Sequence, residues 1–426
     1  MSPADRRRQL LDVARQVVTV DGFGALTIES VAREAGVTRP VVYDLFGDLD
    51  GLVTALIDRE QQIALAPLLE LVGRGEPPAG TGVEEFLTVV LTGFLEAVHV
   101  DKPTWRLVLM PPQRVSPEIR RRFTDSRELL AARIAKLLEW GWRRRGDAAQ
   151  LDWELLGRLV VAVGEDAARL TLMSPRKYRP ERLVLAAVAV LSLIPPGAGV
   201  RTAGRPAPEL TVPEPPAPAE PQPAGKRMAR EARRNQLLDA ALAVIDDGDW
   251  DALTVDAIAK RAGVDRVVVY RSFGRLELLT VALLAREEQR TRGLTDAIVP
   301  AKPWGETGAL SPAEILGGAV ARLLEEVLSK PLTYRVALRR PESLPPALRK
   351  IVNARRASIA KRLRPLVELG LAGVDAPTAD IDVELLSRMI LTAGEELARL
   401  ALHEPDFPPE RVLSGAWSLL EGVPAR

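Results

Sequence analysis

The sequence predicts an all-α protein made of two tandem copies of one helical unit of about 200 residues, packed as an intramolecular pair. Three observations predict it. First, the chain repeats itself: GVTRPVVYDLFGDLDGL from Gly36 and GVDRVVVYRSFGRLELL from Gly263 agree at ten of seventeen positions without a gap. The agreement continues to LDWELLGRLVVAVGEDAARL from Leu151 and IDVELLSRMILTAGEELARL from Ile381, and the offset drifts only from 227 to 230. Such self-similarity means a repeated structural unit. Second, apolar residues recur at the three- and four-residue spacing of amphipathic helices, without strand-like alternation bounded by hairpin turns. Third, a proline-rich stretch that cannot bury a core separates the copies.

Taken in order, RRRQLLDVARQVV opens the first copy with Leu10, Leu11, Ala14, Val17 and Val18 on one helical face. Thr27 is a natural N-cap, and Ile28, Val31 and Ala32 share one face of a short helix behind it. Ala35-Gly36-Val37 supplies a tight turn in which glycine accepts a left-handed backbone. Thr38 caps a second short helix whose apolar positions are Val41, Val42, Leu45 and Phe46. Downstream, Ile119, Phe123, Leu130, Ile134, Leu137 and Leu138 mark a long helix, and helices are expected at Asp152–Met173 and Pro180–Ile194. The apolar run from Leu183 to Ile194 has twelve residues, short of the ~18 of a membrane span, and reads as a buried helix.

The second copy repeats the order. It has QLLDAALAVI from Gln236, ALTVDAIAKRAGV, LTYRVALRRP from Leu332 (matching PTWRLVLMPP from Pro103), and helices at Asp382–Leu402 and Pro409–Leu420. Helices of one unit must bury their apolar faces on one another, so each copy is a bundle. The expected division is residues 1–50 and 51–194 for the small and large domains of the first copy, 195–225 for the linker, and 226–277 and 278–426 for the second copy. Ten of the 31 linker residues are proline. At ~3.1 Å per residue such a chain reaches up to roughly 90 Å, ample to join two units lying side by side.

Composition narrows the chemistry. The 426 residues include no cysteine and two histidines, His99 and His403, both expected on the surface or in loops. Disulfides and thiolate metal sites are excluded, and a histidine zinc site is not expected. No Ser-His-Asp grouping, carboxylate pair or Gly-rich phosphate loop stands out, so no catalytic residue, metal or cofactor is expected. The start of the chain lacks the apolar core of a signal peptide, and a cysteine-free chain fits a reducing cytoplasm, the expected location. Net charge is +1, so any attraction to nucleic acid must come from local patches.

Two short helices joined by a Gly turn form a helix-turn-helix, whose second helix enters a DNA major groove. The exposed candidates on that helix are Thr38, Arg39, Pro40, Tyr43 and Asp44, and in the second copy Asp265, Arg266, Val267, Tyr270 and Arg271. Thr27 and Thr254 stand at helix N-termini, which offer N–H groups to phosphate. Basic segments, Arg6 to Arg8 and Lys226 to Arg234 with Arg230 among them, precede each module and suit phosphate tracking.

Each copy resembles a TetR-type transcriptional regulator. The resemblance lies in RRRQLLDVARQVV, LTIESVAREAGV and TRPVVYDLFGDLDGLV with their second-copy equivalents, and it covers nearly all of both units. It implies an N-terminal three-helix DNA-binding domain, a larger domain that binds a small, mostly apolar effector, and pairing through a four-helix bundle built from the last two helices of each copy. Members usually pair as homodimers. Here one chain supplies both halves, a covalent pseudo-dimer whose two recognition helices would sit ~34–36 Å apart on double-stranded DNA. Fusion lets the halves diverge, so the operator need not be palindromic. The expected action is repression, relieved when the effector favours a DNA-incompetent state. The alternative is a ligand-binding or protein-interaction module with weak or lost DNA binding.

The copies depart from the family in charge. Leu49 and Leu276 stand where members often carry a phosphate-binding Lys; Arg275 substitutes for it in the second copy, whereas Asp48 cannot in the first. Residues 27–50 carry net −3 and residues 254–277 net +2, so the second module is expected to hold DNA harder. Asp44 alternatively accepts a hydrogen bond from a cytosine amino group. The resemblance implies effector pockets around Trp105, Leu109, Phe123 and Trp140, and around Tyr334, Leu338, Ile351 and Leu366, with a plain packed core as the competing reading. Glu165 with Arg169 and Glu395 with Arg399 are spaced i to i+4, which suits either helix-surface pairs or salt bridges between the copies.

Overall fold

The computed structural model describes residues 1–73, 82–111, 117–144, 151–191, 207–210, 230–248, 252–298, 312–338, 346–373 and 378–421. Among these residues the secondary structure is helical and no strand occurs. The linker expected at 195–225 lies, apart from 207–210, outside the described residues, as do Lys226 and Arg227. No described helix is long and apolar enough to cross a membrane. The chain divides into two compact units.

The first unit comprises Met1–Thr202 together with Glu342–Pro345 and Ala376–Ala393. It starts with α1 (Pro3–Asp21), α2 (Ile28–Ala35) and α3 (Arg39–Phe46). These close over Leu10, Leu11, Ala14, Val17, Ile28, Val31, Ala32 and Val42. The same core takes in Leu52 and Leu56 from α4 (Leu49–Gly73). The boundary expected at residue 50 therefore falls within the first turn of a continuous helix, and so does the one at 277, inside α13 (Leu276–Ile298).

Behind the small domain lie α5 (Val83–Val100), α6 (Lys102–Leu109), α7 (Pro117–Arg144), α8 (Trp153–Met173) and α9 (Pro180–Leu191). Their apolar centre combines Leu68, Leu95, Val98, Trp105, Leu109, Ala168, Leu170, Leu172, Tyr178 and Leu183 with Leu385 of α17 (Val383–His403). The second sequence repeat thus contributes a residue to the core of the first unit. Helices α7 and α8 approach so closely at Gly157 that a Cβ there would stand 2.3 Å from the Ala131 carbonyl oxygen.

The second unit comprises Ala203–Pro341, Pro346–Asp375 and Gly394–Arg426. Helices α10 (Arg230–Gly248), α11 (Val255–Ala262) and α12 (Arg266–Phe273) form its small domain around Leu237, Leu238, Ala241, Ile258, Ala259 and Val269. Then come α13, α14 (Pro312–Ser329), α15 (Pro331–Ala337), α16 (Pro346–Ala372), the later part of α17 and α18 (Pro409–Glu421). The expected terminal helices match α8, α9, α17 and α18 to within two residues, except that 192–194 lie outside the described residues.

Candidate nucleic-acid interface

The recognition geometry is built twice from the same parts. Gly36 and Gly263 end α2 and α11 in the left-handed region, at φ 65° and 64°, which favours glycine. Gly47 and Gly274 end α3 and α12 with N–H groups that donate to the Tyr43 and Tyr270 carbonyls at 2.8 and 2.7 Å. Gln9 donates to the Ala35 carbonyl and Gln236 to that of Ala262, at 3.4 and 3.0 Å, fixing each first helix to the turn. Arg7 donates to the Leu45 carbonyl and lies 4.6 Å over the Phe46 ring. Arg234 likewise donates to Ser272 and lies 4.1 Å over Phe273. A guanidinium over an aromatic face is attractive, so each arginine anchors the far end of a recognition helix.

These contacts revise the reading of the basic segments. Arg6 donates to Gln9 at 2.7 Å and is half-buried, and Arg233 does the same to Gln236 at 2.6 Å. Both hold the glutamine that closes the turn, which fixes where their guanidinium groups stand. Arg230 is exposed at the first turn of α10.

The outer faces are open. On α3, Thr38, Arg39, Pro40, Tyr43 and Asp44 are exposed while Val42 is fully buried. On α12, Asp265, Arg266, Val267, Tyr270 and Arg271 are exposed, as is Arg275 beyond its end, while Val269 is buried. Positions 39, 40, 43 and 44 fall on one stripe because residues three and four apart share a helix face. Arg39 pairs with Glu29 at 3.0 Å and Arg266 with Asp256 at 2.9 Å. Exposed pairs of this kind contribute at most about 1 kcal/mol and release readily to a phosphate.

Caps separate the two modules. The Thr27 hydroxyl accepts from Ser30 N–H at 3.0 Å, while Ser30 Oγ accepts from Thr27 N–H at 2.9 Å, a reciprocal capping box. Thr254 accepts from Ala257 N–H at 3.1 Å, but alanine has no oxygen to return the bond. Both threonine hydroxyls accept from their own helix, which leaves each O–H free to donate outward. Asp265 caps Val267 N–H at 2.8 Å, whereas Thr38 makes no such bond. Leu49, at the place where the resembling family often carries a Lys, packs on the small-domain core.

The cores expected to hold effectors differ between the copies. Trp105 and Leu109 are buried, and Trp105 meets Phe94 edge-on at 5.2 Å. Phe123 packs against the same cluster. Trp140 does not join them: it lies seventeen residues further along α7, about 25 Å at 1.5 Å per residue, half-buried beside Arg144. In the second copy Tyr334 and Leu338 are buried together, and Leu366 is buried on α16. Ile351 is 44% exposed, so it faces away from the core expected to contain it. The Tyr334 hydroxyl donates to Glu326 at 3.3 Å, and burial followed by the Glu326 charge pushes the phenol well above its usual range.

Glu165 and Arg169 do pair, at 3.1 Å, but Glu165 also takes Arg127 at 2.7 Å and Arg169 donates to the Leu109 carbonyl. Glu395 and Arg399 pair at 3.4 Å, with Arg356 on Glu395 at 3.1 Å and Arg399 on the Leu338 carbonyl at 2.7 Å. Both are helix pairs that also brace neighbouring helices of their own copy. Contacts that join the repeats inside the first unit also come from residues not singled out in the sequence. Arg388 binds Asp166 at 2.8 Å, Arg182 binds Asp382 at 2.7 Å, and Lys177 and Tyr178 bind Glu384 at 2.6 and 2.8 Å. Burial pushes the Glu384 carboxyl up, but the bonds from Lys177, Tyr178 and Arg182 outweigh it and hold the group at about 2.

Sequence reasoning also missed a buried carboxylate in each copy. Glu60 is fully buried on α4; it accepts from Arg59 at 2.7 Å and from the Thr104 hydroxyl of α6, and lies 3.3 Å from Arg15 of α1. Glu287 repeats this with Arg286 at 2.8 Å, Arg290 at 3.1 Å and Thr333 at 2.6 Å. Leu107 of α6 enters the small-domain core itself. An Arg-Glu pair followed 44 residues later by a Thr in the first copy and 46 in the second was the available signal.

Residues 10–56 and 237–279 match the family described as "Bacterial regulatory proteins, tetR family". The HTH-type transcriptional regulator BetI of Stenotrophomonas maltophilia (strain R551-3) is 31% identical over 166 residues, 36% of this chain and 82% of that protein. Two proteins of Mycolicibacterium smegmatis are similar over shorter stretches. The HTH-type transcriptional activator FasR is 39% identical over 75 residues, 17% of this chain and 34% of FasR. The HTH-type transcriptional repressor KstR is 38% identical over 68 residues, 16% of this chain and 33% of KstR. The chain therefore spans most of BetI but about a third of the other two.

Proposed function

Because this chain belongs to the tetR family of bacterial regulatory proteins and carries that family's DNA-binding domain twice, it is a DNA-binding transcriptional regulator, and we propose that it acts as a single-chain pseudo-dimer. One polypeptide supplies both recognition helices, so linkage replaces bimolecular encounter with an effective concentration. The observation that carries this reading is the mixed make-up of the first unit, where Arg388, Asp382 and Glu384 of the second repeat meet Asp166, Arg182 and Lys177 of the first. We read the protein as a repressor released by a small apolar effector. The relatives include both an activator and a repressor, so the sign of regulation is the first thing to test with a promoter reporter.

The effector reading is supported by the apolar cluster around Trp105 and Phe94, with which Tyr334 and its Glu326 partner contrast. Two chemically different cores in one chain would take two different ligands, or would leave one head unresponsive. Coupling to DNA requires that the effector bind the DNA-incompetent arrangement better. The network at Glu60, which touches α1, α4 and α6, suits transmission between the two domains of a copy.

Light scattering on the free protein and on its DNA complex tests the pseudo-dimer. One chain per operator is the expected result, and an obligate two-chain complex would replace it with four reading heads. A second reading has its own support. The net −3 of residues 27–50 and the leucines at 49 and 276 suit a ligand-binding or protein-interaction module with silent heads. Strong, salt-dependent binding to sequence-specific duplexes would exclude that alternative.

A further inference from the structure

The two reading faces allow a position-by-position comparison. Arg39 and Arg266 are identical and paired in the same way, each with an acid on the preceding helix. Tyr43 and Tyr270 are identical and equally open, at 47% and 52% exposure. Pro40 and Val267 are both apolar. Asp265 already gives one carboxylate oxygen to its own helix N-terminus, a task Thr38 does not share, so that pair differs first in capping. What remains is position 44 against position 271. Asp44 and Arg271 are both exposed, both lie one turn beyond the apolar pair at 40 and 267, and neither has a hydrogen-bond or ion-pair partner among the described residues. Helices of equal length, ended by the same glycine geometry and anchored by the same arginine, carry these opposite charges to the same place.

Resting on the two-headed DNA-binding reading above, we infer that this pair sets where the two half-sites differ: Asp44 selects cytosine and Arg271 selects guanine at the equivalent base. The chemistry of the groove carries it. A carboxylate only accepts, and in the major groove cytosine offers the N4 amino donor without an acceptor beside it. A guanidinium only donates, in a fork that matches guanine O6 and N7. Placed against guanine, Asp44 would set acceptor against acceptor; placed against cytosine, Arg271 would set donor against donor. A palindromic operator carries the same base at equivalent positions of its half-sites. This chain therefore favours an operator whose two-fold symmetry is broken at that base pair, by exchange of C for G.

The test is selection of bound duplexes from a random library by the full chain, with Asp44→Asn and Arg271→Ala beside the wild type. Both side chains are exposed, so neither change burdens the fold. The wild type should enrich paired half-sites that differ at one equivalent base, C in one and G in the other. Asp44→Asn should turn that C into A, because an amide pairs with adenine N6 and N7. Arg271→Ala should leave the G position unselected. In competition, a duplex altered at that base pair should bind roughly 5- to 150-fold more weakly to the matched head, with no effect from the other head's variant. Identical bases in the two wild-type half-sites would overturn the inference while leaving the two-headed reading intact. So would an Asp44→Asn protein that binds all duplexes more or less tightly by one common factor. Absence of sequence-selective binding in every form would remove the DNA-binding reading itself, and this inference with it.

Discussion

Replacing Glu60 with glutamine should loosen the first DNA-binding domain from the helices behind it. The carboxylate is fully buried and ties three helices: Arg15 of α1 at 3.3 Å, Arg59 of α4 at 2.7 Å, and the Thr104 hydroxyl of α6. Glutamine keeps the shape and removes the charge. Stranding a buried ion normally costs about 3–5 kcal/mol. Here each guanidinium retains a second acid, Asp12 at 2.7 Å for Arg59 and Asp101 for Arg15. The expected cost is therefore smaller but exceeds that of one neutral hydrogen bond, about 2 kcal/mol, or about 30-fold in local opening. Hydrogen exchange followed by mass spectrometry on the full chain reads it directly, as faster exchange in α1 and α6. The molecule holds its own control, since the Glu287 network with Arg286, Arg290 and Thr333 is untouched. Unchanged exchange in α1 and α6, or equal acceleration in α10 and α15, would refute the reasoning.

Three further outcomes follow from the geometry. Alanine at Gly36 or Gly263 meets open space, so its cost is the left-handed backbone alone, about 1–2 kcal/mol, and the melting temperature of either variant should fall. Glu384 is held at about 2 against an ordinary 4.5, so its contribution is complete above that range and disappears as pH falls from about 4.5 toward 2; acid titration of Glu384→Gln should lack that component. Neutralising Arg271 and Arg275 should cost more DNA affinity than neutralising Arg6 and Arg39 in a salt-titrated gel shift, because the first pair is exposed without partners among the described residues and the second is engaged with Gln9 and Glu29.

Most of the fold was legible because its signals are local. The caps at Thr27 and Thr254 and the glycine turns are settled within three or four residues and recur in both copies, whereas Thr38, read as a cap, makes no side-chain capping bond. What was not legible depends on partners far along the chain. Arg6 looks like a phosphate arm in sequence; it bonds Gln9 three residues on, and Gln9 in turn reaches the Ala35 carbonyl, 26 residues further along. Trp140 and Ile351 satisfy helical periodicity, but periodicity does not say how far along a long helix a residue lies or which neighbour covers it. Glu165 and Arg169 have a spacing that a helix-surface pair and a contact between repeats share. Asp166 and Arg388, one of the pairs that join the repeats in the first unit, are 222 positions apart, and no local rule pairs them.

What the two copies share and what they vary falls into a physical order. The shared residues fix backbone: left-handed glycines, the glutamines on the turn carbonyls, the arginines over Phe46 and Phe273, and the arginine–acid pairs that link the two short helices. Changing the glycines, the glutamines or the ring-stacked arginines disturbs the seating of the recognition helix, whereas the exposed arginine–acid pairs contribute at most about 1 kcal/mol. The solvent stripe carries no such burden. Asp44 and Arg271 touch nothing that holds the helix in place, and their exchange costs the fold almost nothing while reversing what the groove must offer. In a homodimer the same change would strike both heads at once and demand two matched changes in the operator. Joining the copies in one chain separates them, so a head can change a base preference at a single half-site. The charge divergence between the modules is thus what a fused pair permits and a pair of identical chains does not.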